Sequence, residues 1–128
     1  MKYTVLLGRI LFSAIFIMAA PGHFTAQTIN YAAGHGLPFA TFLVPASGIV
    51  AFLGGVSIAL GYKARYGGWL IILFLVPVTF TMHNFWAVAD PLAAGMQRIM
   101  FMKNMSMLGA AFLIAHFGAG PMSLDGGK

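Results

Sequence analysis

Residues 39–61 read FATFLVPASGIVAFLGGVSIALG, 23 consecutive positions without a charged side chain. A helix rises about 1.5 Å per residue, so a run of this length crosses the roughly 30 Å hydrocarbon layer of a bilayer. Three similar runs flank it. Residues 67–86 are apolar over 20 positions, residues 4–20 are broken only by Arg9, and residues 99–117 contain one lysine, Lys103. Lys2 ahead of an apolar stretch resembles a secretion signal, but Arg9 interrupts that core and Pro21 would follow the cleavage point, so a retained helix is expected. The sequence therefore predicts an all-α integral membrane four-helix bundle.

Composition agrees. Of 128 residues 60% are hydrophobic and 7% charged, with a mean hydropathy of +0.90. The chain has no cysteine, which removes disulfides, thiolate metal sites and thiol redox chemistry from consideration. Seven Lys and Arg against two acids give a net charge of +5, yet these cations are scattered between apolar runs. That distribution suits membrane topology and predicts no nucleic-acid partner. Lys63 and Arg65 fall in the shortest connection, which places that turn in the cytoplasm and, with an even number of spans, both termini beside it: N-in, C-in. Tyr3, Tyr62, Tyr66 and Trp69 would mark the inner interface, and Tyr31, Phe85 and Trp86 the outer one. The glycine-rich stretch 118–128 reads as a short irregular tail.

Ser47, Ala51, Gly55 and Ala59 recur every four residues and would let another helix approach closely. Pro77 removes one backbone donor within its span and should bend it. With these helix directions, His23, His83, Asn84, Lys103 and Asn104 all fall in the outer half. An ammonium in mid-span costs roughly 2.5–3.5 kcal/mol, so Lys103 should turn inward or reach for the interface. Two readings follow: separate interfacial contacts with water, or one cationic, hydrogen-bonding pocket suited to an anion or a quinone carbonyl. His23 and His83 at equal depth also permit axial ligation of a haem. Without intramembrane carboxylates a metal site is disfavoured, and the methionines between Met96 and Met107 surround their helix as packing would. Arg9 is expected to snorkel to the inner headgroups, and His116 to lie at the inner end of the last span.

The motifs Pro21-Gly22-His23-Phe24, His35-Gly36-Leu37-Pro38, Leu60-Gly61-Tyr62-Lys63-Ala64-Arg65, Val76-Pro77-Val78-Thr79, His83-Asn84-Phe85-Trp86 and Phe101-Met102-Lys103-Asn104 together resemble the DoxX family of small four-helix bacterial membrane proteins. The resemblance covers essentially the whole chain and implies a single transmembrane domain, residues 1–128, in the bacterial inner membrane. Many members carry a glutamate in the second helix, which falls at Ala51 here, so the usual intramembrane acid is missing. Family association with a thiosulfate:quinone oxidoreductase and with other membrane oxidoreductase complexes implies a subunit of a redox system. Such a subunit would bind quinone or a small anionic substrate and depend on a partner or cofactor, because no side chain here accepts electrons. The alternative is a non-enzymatic small-solute carrier or a structural subunit of a membrane complex, and on either reading a protein partner or a homo-oligomer is expected.

Overall fold

A computed structural model describes residues 2–126. Helix α1 (Lys2–Ala19) runs on into a 3-10 turn, Ala20–Phe24, where Pro21 supplies a fixed φ but no N–H. Thr25 then ends the turn and caps the next helix, its Oγ1 accepting from Thr28 N at 3.2 Å. The segment 22–38, between the first two apolar runs, thus contains a short helix, α2 (Ala26–Gly34). Helix α3 (Ala40–Leu60), α4 (Ala64–Met82) and α5 (Pro91–Phe117) follow.

Helix α5 begins well ahead of the apolar run 99–117. The Asp90 carboxylate accepts from Ala93 N at 2.9 Å and Pro91 stands at the first helical position, a start signal independent of hydrophobicity. Apolarity marks where a helix meets lipid, whereas capping marks where it begins.

The long helices pack as neighbours in the order α1, α3, α4, α5. Phe16, Ala51, Ile58, Ile71, Leu75 and Ala111 from all four form one buried core. Small residues set the spacing. A Cβ added at Gly55 would lie 2.9 Å from Ile17 Cγ1 on α1, and one at Gly68 would lie 2.8 Å from Ala115 N on α5. The outside is as apolar as the inside: Leu11, Met18, Phe42, Leu73 and Leu113 are all exposed. In water such a surface would aggregate; in lipid it is the matched solvent.

One end of the bundle gathers the start of α1, the α3–α4 connection and the final segment. Arg9 does not snorkel. It is 4% exposed and donates to the carbonyls of Ile58 (3.3 Å), Ala59 (3.2 Å) and Pro121 (3.2 Å), and also to that of Met122. The first two belong to the last turn of α3, where intrahelical donors run out; Gly61 N reaches Ile58 O at 3.1 Å, and the guanidinium fork adds a second donor there and one at Ala59 O. The tail is correspondingly ordered: Leu124 N reaches Leu60 O, and Asp125 N reaches Gly61 O at 2.8 Å. The Asp125 carboxylate accepts from Lys63 N (2.8 Å) and Ala64 N (3.0 Å), capping α4 from the far end of the chain. Gly61 sits at φ 68° with Ser123 directly against it, so neither its backbone nor its surroundings admit a side chain.

Candidate functional site

At the opposite end, the 3-10 turn, α2, α3 and α4 enclose a cavity of about 480 Å³. Its walls are mostly apolar, with Val44, Val50, Phe74 and Val78 among them, and its polar groups come from His23, Thr28, Tyr31, Ser47, Thr81 and His83. Leu43 and Leu73 also line it while being 38% and 60% exposed themselves. The wall of the cavity thus includes apolar residues that are exposed on the outside of the bundle.

His23 enters because the 3-10 turn lays its ring over α3. A Cβ at Gly48 would come 2.6 Å from His23 Cβ, so this close crossing requires glycine. The ring stands edge-on to Phe74 at 5.6 Å, and its Nδ1 lies 3.1 Å from Ala19 O. His83 ends α4, and its Nδ1 is 2.7 Å from Gln97 Oε1 on α5. Among the described residues neither Nε2 has a hydrogen-bond partner.

His23 and His83 thus share one cavity, and the other three residues singled out from the sequence lie elsewhere. Asn104 is buried between helices, donating to Thr79 Oγ1 at 3.1 Å. Lys103 is exposed on α5 and does not line the cavity. Consecutive helical positions diverge by about 100°, so only one of the pair can face α4, and the amide costs less to bury than the ammonium. Asn84 is half-buried beyond the end of α4, where its carbonyl accepts from Ala87 N at 3.0 Å. Arg98 lies over the Phe85 ring at 5.1 Å, also away from the cavity. Among the described residues no lysine or arginine lines this cavity.

Gln97 was not singled out from the sequence, although a signal existed. Once Asp90-Pro91 is taken as the helix start, Gln97 and Asn104 are seven positions apart on one face of α5. They meet His83 and Thr79, four apart on one face of α4, forming two polar contacts along a single helix pair. Tyr31 and Thr28 entered the cavity through α2, which hydrophobic run length alone did not reveal.

The family model for DoxX matches residues 4–84. Inner membrane protein YqjF of Escherichia coli strain K12 is 34% identical over 124 residues, 94% of this chain and 88% of its own length. Inner membrane protein YphA of the same strain is 30% identical over 98 residues, 77% of this chain and 69% of its own length. The ER-derived vesicles protein ERV29 of Saccharomyces cerevisiae is 26% identical over 77 residues, 60% of this chain and 24% of its own length. No solved structure matches. With four helices long and apolar enough to span a bilayer, this chain is a multi-pass protein of the inner membrane, and it belongs to the DoxX family.

Proposed function

We propose that the cavity binds a neutral, lipid-soluble ligand with a polar ring, of the quinone class, and that His23 and His83 are its polar contacts. The observation that carries this reading is the pairing of two half-buried histidines in one mostly apolar cavity whose wall includes the exposed apolar residues Leu43 and Leu73. A volume of about 480 Å³ lies in the ordinary range for small-molecule sites. The quinone half of the sequence expectation is favoured over the anionic half, because Lys103 and Arg98 stand outside the cavity and an anion there would meet no cationic side chain.

A chain without cysteine has no side chain suited to reversible electron storage. On this reading the protein serves a redox system by holding the carrier, while electrons arrive through a partner. Its orientation is N-in, C-in, with the Lys63 and Arg65 connection cytoplasmic and the cavity in the outer half. A cysteine introduced near Asp90 should react with an impermeant thiol reagent in intact cells and one near Lys2 should not. The reverse pattern would overturn the orientation.

Binding is tested by calorimetric titration of the detergent-solubilised full chain with a short-tailed hydroquinone. Ala46→Trp, which fills the cavity from α3, and the double variant His23→Ala, His83→Ala should each lose at least tenfold in affinity, while Lys103→Met should bind as the parent does. Binding that ignores the first two variants would overturn the site. No binding by the folded parent, with a stoichiometric protein co-purifying, would favour the structural-subunit alternative.

A further inference from the structure

We infer that the cavity selects the reduced, hydroxyl-bearing form of its ring ligand over the oxidised, carbonyl form. This rests on the ring-ligand reading above and adds to it the ligand's redox state. The argument is a count of donors and acceptors.

A backbone carbonyl only accepts, so the 3.1 Å contact between His23 Nδ1 and Ala19 O puts the ring proton on Nδ1. The neutral ring then offers a lone pair at Nε2. His83 is held in the same tautomer by Gln97 Oε1, an acceptor 2.7 Å from its Nδ1. Hydroxyl protons in the cavity are spent in a similar way. Ser47 donates to Val44 O at 2.7 Å. Thr25 has a single hydroxyl proton, and Gly22 O, which can only accept, lies 2.9 Å from it; the 2.9 Å contact between Thr25 and Thr28 must then be Thr28 donating. Ser47 and Thr28 are left presenting lone pairs. Pro77 has no N–H to give to the Leu73 carbonyl one turn back, and both residues line the cavity. Of the polar side chains there, only the Tyr31 and Thr81 hydroxyls keep a proton to offer, and each accepts as readily as it donates.

The cavity is thus rich in acceptors and poor in donors. A hydroquinone brings two O–H donors that satisfy the two imidazoles. A quinone brings only acceptors: at the two imidazoles its carbonyls would face lone pairs, with donors offered only by the Tyr31 and Thr81 hydroxyls, and a polar group left unsatisfied in an apolar surround weakens binding by about tenfold or more. Gln97 is the positioning residue that fixes the His83 tautomer without touching the ligand.

The test compares equilibrium binding of three compounds of matched shape to the detergent-solubilised full chain: a short-tailed hydroquinone, its quinone, and its dimethyl ether, which has no donor. The hydroquinone should bind at least tenfold tighter than either of the others. Gln97→Leu frees His83 Nδ1 and allows the ring to turn its proton toward the cavity, so it should narrow that ratio chiefly by tightening quinone binding; a merely structural loss would weaken all three together. His23→Phe keeps the ring and removes its acceptor, and should weaken the hydroquinone alone. Equal binding of hydroquinone and quinone, or tighter quinone, overturns this inference and leaves the ring-ligand reading standing. Binding of none of the three by a folded parent overturns both.

Discussion

Arg9 and His83 each bring nitrogen donors into the bundle, at opposite ends and with opposite outcomes. At the end where the chain starts and finishes, the Arg9 guanidinium meets four carbonyls, the Asp125 carboxylate closes two helix-start amides, and it lies near enough to act electrostatically on the arginine. At the other end, His23 and His83 each commit one nitrogen to an anchor and leave the second without a partner among the described residues. The first arrangement uses both terminal guanidinium nitrogens to tie three segments together, leaves only the buried Nε without a partner among the described residues, and holds the fold. The second is fixed on one side and open on the other, as a binding group must be if it is to be rigid before the ligand arrives. Polar residues of equal rarity in a membrane chain therefore divide by the state of their hydrogen bonds rather than by their depth.

Breaking the closed end should have the largest effect on stability. Arg9→Met takes the guanidinium donor from the Ala59, Pro121 and Met122 carbonyls, leaves Ile58 O with Gly61 N alone and loosens the tail, and should cost about 3 kcal/mol or more in detergent unfolding, with faster proteolysis between residues 118 and 126. Unchanged stability would mean that the network is incidental. Next comes the helix contact that joins the two ends. Gly68→Ala places a methyl against the Ala115 backbone, which cannot swing aside, whereas Gly109→Ala enters open space. The first should lower stability by roughly 1–3 kcal/mol and the second should leave it unchanged or slightly raised. Asp125→Ala removes the α4 cap and should cost about 1 kcal/mol. The smallest effect belongs to Asn104→Leu. Interhelical hydrogen bonds in membranes average only about 0.6 kcal/mol, so a loss well above 2 kcal/mol would show that the Thr79 contact does more than join α4 to α5.

The long apolar runs made the four spanning helices legible, because spanning demands a length that few other structures need. The small-residue spacing in 47–59 pointed to close packing, and Gly55 meets α1 as that pattern implies. Contacts between distant segments were not legible. Asp125 caps a helix that begins 61 residues earlier, and Arg9 binds carbonyls as far away as residue 122. Neither pairing leaves a periodic trace, and a lone arginine in a span is costed from sequence as if its alternatives were only water and headgroups. The candidate site was read from depth, which set His23 and His83 at one level but could not separate Lys103 from Asn104. Rotation about α5 separates them, and rotation depends on which neighbour the helix packs against. The cap at Asp90-Pro91 was readable, and it would have extended α5 far enough to set Gln97 beside His83.

The central claim is one of place: a lipid-soluble ring ligand sits among the 3-10 turn, α2, α3 and α4, against His23 and His83. A photoreactive quinone analogue, crosslinked to the full chain in native membranes and mapped by peptide mass spectrometry, tests this directly. The account predicts adducts within residues 23–50 and 73–83, competed away by an unreactive analogue and abolished by Ala46→Trp. Competable adducts concentrated on α5 around Arg98 and Lys103, with residues 23–50 and 73–83 unlabelled, would contradict it.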